Sequence, residues 1–182
     1  MSDRYAVIDT ETNWYNELMS VGIVIASDEI HEMIDSLYVI IEEAAALGGM
    51  YSQVLLVRGQ KPLVTDREDA IVAIREFLET HGVEKIFAYN AAFDAKCLPE
   101  LGDYLWHDII RIAAYKQYNS AIPDSVVCCK SGRIKSGYKV EDILHMFGEK
   151  GYKEVHNALT DAMDELRIMK HLDRSVIEYP PL

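Results

Sequence analysis

Three short apolar runs open the chain and predict three β-strands. They are rich in β-branched residues and span residues 5–9, 18–26 and 34–41. The polar residues 27–29 between the last two runs indicate a hairpin turn. Residues 42–47 then favour a helix that Gly48 and Gly49 interrupt, and residues 50–58 give no clear pattern.

Helical spacing alternates with apolar runs in the rest of the chain. Thr65 with Glu68 three residues later resembles a capping box, and apolar residues at helical spacing follow it up to Gly82. Residues 83–89 predict a strand that runs directly into residues 90–94, where another helix begins. Further helices are expected at residues 109–118, 138–146 and 159–172. Strands first, followed by helices alternating with strands, predict an α/β fold with a mixed sheet flanked by helices.

Composition adds that the chain is an ordinary globular protein. Its 182 residues predict a single domain, residues 1–182, and 49% hydrophobic with 26% charged residues is typical of soluble folds. It has no long apolar run and no leader pattern at its start, so we expect a cytoplasmic protein with no membrane partner. The three cysteines, Cys97, Cys128 and Cys129, are odd in number, and two are adjacent, which indicates reduced thiols.

Charge limits the ways in which this chain can bind a polyanion. The net charge is −12, from 30 acidic and 18 basic residues, so the overall field repels a phosphate backbone. Such a ligand would have to be held by metal ions, local basic patches or stacking. This favours short substrates or single-stranded ends over long duplexes.

Two carboxylates stand at the end of the first predicted strand. Asp9 and Glu11 are two residues apart, so on a strand they point to one face, while Thr10 points to the other. Two acids on one face can share a divalent cation. Asp94 follows a later strand and could alone be a first-turn helix acid. Together with Asn90 and Phe93, however, it indicates a site, because we expect Phe93 to anchor the helix in the core and direct Asp94 towards the sheet edge.

His156 and Asp161 complete the set of candidate residues. They are five residues apart and would diverge on one regular helix. We therefore place His156 just before the last helix, with Asn157 as its N-cap and Asp161 in the first turns, facing the sheet. A buried unpaired carboxylate is costly unless a cation neutralises it, which is why these acids are interpreted as metal ligands.

The segments DTET, NAAFD and HNALTDA, in this order, resemble the three motifs of the DnaQ-like (DEDDh) 3′–5′ exonucleases. The resemblance implies a ribonuclease H-like fold with a central five-stranded mixed sheet. By position, Asp9, Glu11, Asp94 and Asp161 match the metal-binding carboxylates, and His156 matches the general base. Many relatives have glycine after the first motif, where this chain has Asn13, which can also adopt a left-handed backbone. Residues 124–139 have no counterpart in the pattern.

The residues and the resemblance together predict a metal-dependent enzyme. Four carboxylates give enough oxygen ligands for two Mg²⁺ or Mn²⁺ ions, which can stabilise both oxygens of an in-line displacement at phosphorus. We expect nucleoside 5′-monophosphates to be released from the 3′ ends of single-stranded DNA or RNA, or from short oligonucleotides. One alternative is an accessory, proofreading or nucleic-acid-binding subunit acting with a partner, and another is an acidic interaction protein. A homodimer or a polymerase partner is also compatible with the resemblance.

Substrate contacts are predicted around these motifs. The candidates are Thr10, Asn13, Trp14, Tyr15, Asn90, Phe93, Lys130 and Arg133. Trp14 and Tyr15 could stack on a terminal base or could pack in a loop or core. Residues 125–140 contain no acid and four basic residues, which indicates either a phosphate-contacting arm or a solvated basic hairpin.

Overall fold

The central feature of the fold is a six-stranded mixed sheet with helices on both faces. It is seen in a computed structural model that describes residues 4–182. The strands are β1 (Arg4–Thr12), β2 (Leu18–Ser27), β3 (Met33–Ile41), β4 (Leu63–Thr65), β5 (Lys85–Ala88) and β6 (Leu105–Asp108). Their order across the sheet is β4-β3-β2-β1-β5-β6. The pairs β1–β2 and β2–β3 are antiparallel, and the other three neighbouring pairs are parallel.

Within the described residues 4–182, six helices surround this sheet. They are α1 (Glu42–Ala46), α2 (Arg67–Thr80), α3 (Ala92–Cys97), α4 (Ile110–Ala113), α5 (Val140–Met146) and α6 (Ala158–Leu172). Single 3₁₀ turns occur at Ser52–Val54, Pro99–Leu101 and Val176–Glu178. Within residues 4–182, none of the helices is both long and apolar enough to cross a membrane.

The two faces of the sheet pack against different helices. Tyr5 and Val7 of β1 belong to the core beneath α6, whereas Ala6 and Ile8 belong to the core beneath α2. Since side chains alternate along a strand, Asp9 and Glu11 continue the row on the α6 side. The strand therefore presents both carboxylates to the helix that carries Asp161.

Gly22 lets the first turn of α6 approach the sheet closely. This glycine pairs with Asp9 across the β1–β2 ladder. A Cβ atom at Gly22 would lie 2.2 Å from the backbone carbonyl carbon of Ala158, which no real contact allows. The missing side chain thus brings the start of α6, and with it Asp161, down onto the strand pair that carries Asp9.

Most of the expected elements are present. The α/β architecture, the β2–β3 hairpin and the Asn157 N-cap of α6 are confirmed, since the Asn157 side chain accepts a hydrogen bond from the Thr160 amide at 3.1 Å. The sheet has six strands rather than the expected five. The sequence pattern did not predict β4 or β6. Of these, β4 is a short and exposed strand at the sheet edge, whose three residues carry no alternating pattern.

Two local expectations were wrong. Thr65 ends β4, and the cap of α2 is Asp66, whose side chain accepts the Asp69 amide at 3.0 Å. The helix expected over residues 109–118 is limited to α4. The helix stops early because its last carbonyl groups have other hydrogen-bond partners. The Asn119 side chain donates a hydrogen bond to the Ala113 carbonyl at 2.8 Å, and the Ile134 amide donates one to the Ala114 carbonyl.

Candidate active site

Acidic side chains from β1 and α6 converge at the carboxyl end of β1. Ligand atoms of Glu11, His156 and Asp161 all lie within 4.8 Å of one another. Asp9 is not a member of this close group, but the charges of Asp161 and Glu11 add to the effect of burial in raising the pKa of its carboxyl, so it lies near them. Glu11 and Asp161, which are 150 positions apart in the chain, therefore meet in one place.

Asp94 enters the same cluster from α3. It is 3% exposed, and the Thr10 hydroxyl donates a hydrogen bond to its Oδ1 at 2.7 Å. Thr10 is buried and orients Asp94, and its expected contact with the substrate stays a prediction. Phe93 was expected to anchor α3 in the core, but it is 45% exposed, because the inward face of this short helix is occupied by Asp94.

A further buried carboxylate, Glu165, lies one helical turn after Asp161. It accepts a hydrogen bond from the Tyr89 amide at 3.0 Å, and its charge is the strongest single neighbouring contribution to the raised pKa of Asp9. Burial, followed by the charge of Asp94, raises the pKa of Glu165 itself well above its usual value. The site therefore contains five acidic groups, one more than the four motif carboxylates.

Burial and repulsion by neighbouring acids raise the pKa of each motif carboxylate. Burial acts first in every case and raises the pKa of Glu11 to about 8, of Asp94 to about 7 and of Asp161 to about 8. The pKa of Asp9 is also raised well above its usual range, by burial and then by Glu165. Among the described residues, nothing hydrogen-bonds the buried Oδ2 of Asp9 or the buried Oδ1 of Asp161. Crowded carboxylates with unpartnered buried oxygens fit divalent cations, which bind such hard donors.

His156 lies directly before α6, as predicted, and beside the carboxylates. Its backbone has φ 60°, a left-handed conformation that costs a non-glycine residue about 1 kcal/mol or more. The imidazole stacks on the Tyr51 ring, with ring centroids 4.1 Å apart, and its Nε2 is 4.0 Å from Glu154 Oε2. The side chain is 38% exposed, so a water molecule can reach it.

A cavity of about 620 Å³ opens beside the acid cluster. Asp9, His156 and Glu165 line one end of it. The rest of the lining includes two further acids, Asp108 and Glu154, and the apolar Ile110 and Val140. Its basic, amide and aromatic residues are Arg111, Arg133, Lys139, Asn90, Tyr89, Tyr115 and Tyr138. The acid-free residues 125–140 contribute to this lining, so the cavity combines anionic and cationic surfaces.

The basic segment reaches the cavity through only part of its length. Arg133 lies over the Tyr138 ring at 4.9 Å, and a bridge between Tyr115 and Arg133 joins the segment to the residues after α4. Lys139 also lines the cavity. Lys130 is exposed and does not line the cavity; it sits where the Cys128–Ile134 bridge closes a solvated hairpin.

The loop after β1 contains the buried Asn13, a residue type that can adopt a left-handed backbone. The positive φ of this loop, 61°, is at Asn16. The Asn13 side chain accepts the Tyr15 and Glu17 amides and donates to the Ala44 carbonyl, so it organises the loop. Trp14 and Tyr15 are 63% and 69% exposed. Their stacking on a base stays a prediction.

Several residues of the site could not be read from the motifs. Glu165 follows Asp161 at the i, i+4 spacing that places two residues on one helix face, which was a usable signal. Asp108 ends β6, a strand missed in the sequence, and accepts the Asn90 amide at 3.0 Å. Glu154 and Tyr51 lie in irregular segments without periodicity, so only the tertiary structure shows that they adjoin His156.

Comparisons with known proteins give similarity in fold. No family model matches the chain, and no curated protein matches it in sequence. The nuclease domain of 3′hExo, a DEDDh family member bound to rAMP, matches with a TM-score of 0.69 at 14% identity, over 100% of this chain and 96% of that chain. A 3′-exonuclease that specifically recognises the 3′ end of a histone mRNA stem-loop matches with a TM-score of 0.70 at 14% identity, over 99% of this chain and 66% of that chain. Exonuclease I of E. coli with a dT13 oligonucleotide matches with a TM-score of 0.64 at 13% identity, over 94% of this chain and 40% of that chain. The chain has the fold of these nucleases, which confirms the expected ribonuclease H-like architecture.

Proposed function

We propose that this chain is a metal-dependent 3′–5′ exonuclease of the DEDDh type. It hydrolyses the terminal phosphodiester bond at single-stranded DNA or RNA 3′ ends and releases nucleoside 5′-monophosphates. The observation that supports this most strongly is the convergence of Asp9, Glu11, Asp94 and Asp161 beside an accessible His156. A set of acids with raised pKa values beside an accessible imidazole in one cleft is typical of a catalytic centre.

The motif carboxylates would hold two Mg²⁺ or Mn²⁺ ions. Asp9 and Asp161 each offer a buried oxygen without a hydrogen-bond partner among the described residues, and Glu11 adds a nearby carboxylate. When bound, such ions stabilise the attacking and leaving oxygens of an in-line displacement at phosphorus. Thr10 keeps Asp94 oriented towards this site through its hydrogen bond.

His156 would accept the proton of the attacking water. Its side chain is accessible and lies beside Glu11 and Asp161, and imidazole is the side chain that most often acts as a general base. Oxygen ligands suit magnesium and manganese better than a ring nitrogen does, which favours a base rather than a ligand role for His156. The nearby Glu154 would stabilise the imidazolium that forms, since its carboxylate is 4.0 Å from Nε2.

The cavity beside the acid cluster is suited to the nucleic acid strand that remains after the cut. Arg133 and Lys139 form no ion pair within the described part of the chain, although the protein has a net charge of −12. Tyr89, Tyr115 and Tyr138 add aromatic surface to the same cavity. Cations and rings along one groove are typical of sites for single strands, where phosphates and bases alternate. The similar structures include one with rAMP and one with a dT13 oligonucleotide, which supports such a substrate.

An accessory subunit that binds nucleic acid without cutting it is the main alternative. It would need only the basic cavity, whereas this chain keeps every motif carboxylate and the histidine in one cluster. The complete set therefore favours catalysis. A partner protein or a second copy stays a prediction.

The test uses single-stranded DNA and RNA oligonucleotides, each labelled at the 3′ or the 5′ end. With Mg²⁺ or Mn²⁺ we expect a labelled mononucleotide from the 3′-labelled strand at once, and a ladder of shortened strands from the 5′-labelled one. Chelator should stop both, and Asp9→Asn should be inactive in the same preparation. Internal fragments from both labels, or activity equal in chelator, would contradict the proposal.

A further inference from the structure

The imidazole of His156 is supported by a ring from a distant segment. No described residue makes a hydrogen bond to this ring, and its nearest acid, Glu154, is 4.0 Å away. It stacks instead on Tyr51, with ring centroids 4.1 Å apart and an angle of 19° between the planes. Since the side chain is 38% exposed, solvent alone would leave its ring orientation free. Tyr51 is therefore the contact that fixes the plane of the imidazole.

The segment that carries Tyr51 is fastened to the residue after His156. Asn157 is buried and donates hydrogen bonds to the carbonyls of Val54 at 2.9 Å and Leu55 at 3.3 Å. Gln60 donates in return to Asn157 Oδ1 at 2.8 Å. Residues 51–60 and the start of α6 are thus joined by several hydrogen bonds. The stacking surface keeps its place relative to the imidazole.

The backbone of His156 is held from a second side. Its left-handed φ of 60° persists only where the surroundings enforce it. Burial raises the pKa of the Asp161 carboxyl, and the backbone amides of His156 and Asn157 lower it in part, so both amides lie close to this carboxylate. Asp161 is therefore placed beside the backbone of His156, and Tyr51 beside its ring.

We propose that Tyr51 is a positioning residue for His156, which keeps the imidazole directed at the attacking water. This inference rests on the proposed exonuclease function. Stacking uses the aromatic face and not the hydroxyl, so phenylalanine should replace tyrosine without loss. If Tyr51 instead bound a substrate base, its removal would weaken substrate binding and raise KM. A positioning role lowers kcat.

Steady-state kinetics of Tyr51→Ala, Tyr51→Phe and the matched control Tyr104→Ala separate these roles. We expect Tyr51→Ala to lower kcat roughly tenfold to hundredfold, because a misplaced base loses part of its effect. Its KM should stay near the wild-type value, and Tyr51→Phe should restore kcat. Tyr104 packs at the edge of the core beneath α2, so Tyr104→Ala should leave both constants unchanged. Wild-type kcat in Tyr51→Ala, or a raised KM with unchanged kcat, would overturn the proposal.

Proton NMR of the metal-free protein tests the stacking independently of activity. The Tyr51 ring should shield the carbon-bound ring protons of His156, so Tyr51→Ala should move these resonances downfield, and Tyr51→Phe should leave them in place. His145, which hydrogen-bonds the Tyr152 carbonyl, is the internal control. Unchanged His156 resonances in Tyr51→Ala would overturn the positioning role. If His156 responds but the wild-type protein cuts no oligonucleotide with either metal, the proposed function itself fails.

Discussion

Replacing Asp161 by asparagine should stabilise the metal-free protein at alkaline pH. Asp161 is 4% exposed, and burial together with the charges of Glu154 and Asp164 raises its pKa from 3.8 to about 8. Since a tenfold change in proton affinity equals about 1.4 kcal/mol, the ionised side chain is disfavoured by on the order of 5 kcal/mol. Relaxation of the site and entry of water reduce this value, and we expect a net gain of about 2 kcal/mol.

The sign of the pH dependence follows from the raised pKa. Between about pH 4 and pH 8 the folded protein holds a proton on Asp161 that the unfolded chain has lost. The contribution of Asp161 to the free energy of unfolding is therefore complete below about pH 4 and is lost as the pH rises towards about 8. The asparagine variant lacks this slope, so its advantage should widen from about pH 6 to about pH 8.

Thermal unfolding in EDTA measures the stability gained by Asp161→Asn without metal, and thermal unfolding in Mn²⁺ measures the stability lost with its metal ligand. A gain of about 2 kcal/mol corresponds to roughly 4 to 8 °C in Tm for a chain of this size. In Mn²⁺ the wild type should have the higher Tm. The bound ion stabilises the wild type, whereas Asp161→Asn has lost a carboxylate and binds the ion more weakly. The exposed acid Asp69 gives the control variant Asp69→Asn, which should show neither effect. The reasoning is refuted if Asp161→Asn melts below the wild type in EDTA at pH 8, or if Mn²⁺ stabilises both proteins equally.

Three further predictions follow from the site. His156→Ala should lower kcat by about 10² to 10⁴ and keep the Mn²⁺-induced rise in Tm. Asp9→Asn should lose both the activity and this rise in Tm. Equal loss of Mn²⁺ binding by the two variants in calorimetric titration would contradict these roles. Arg133→Glu should raise KM on oligonucleotides about tenfold and flatten its salt dependence, while Lys130→Glu, outside the cavity, should change neither. Gly22→Ala should destabilise the fold by about 3 kcal/mol or more, seen as a lower urea midpoint, because its Cβ would collide with the Ala158 backbone. An unchanged midpoint would mean that α6 can shift away.

The acid cluster could be predicted because short-range rules place its members. Asp9 and Glu11 share a face by strand alternation, and Asn157 caps α6 by the chemistry of its side chain. The resemblance then supplied the order of the three motifs. These rules act over a few residues, so they can be applied without knowledge of the tertiary contacts.

What could not be predicted depends on contacts between distant segments. Phe93 is apolar, so the sequence alone predicts that it is buried. In the structure it is exposed, because α3 turns its neighbour Asp94 inwards, where Thr10 donates a hydrogen bond to the Asp94 carboxylate. Lys130 and Arg133 look alike in the sequence, but the bridge from Tyr115 brings only the latter to the cavity. Tyr51 lies in a segment with no periodicity, and only hydrogen bonds to a distant helix cap hold that segment in place.

The central claim is that carboxylates from β1, α3 and α6 form one two-cation site. Anomalous diffraction from crystals soaked in Mn²⁺ with a nucleoside 5′-monophosphate tests it directly. We predict two manganese peaks about 4 Å apart, ligated by Asp9, Glu11, Asp94 and Asp161, with the phosphate on both ions. Peaks elsewhere on the acidic surface, or none at saturating Mn²⁺, would contradict it.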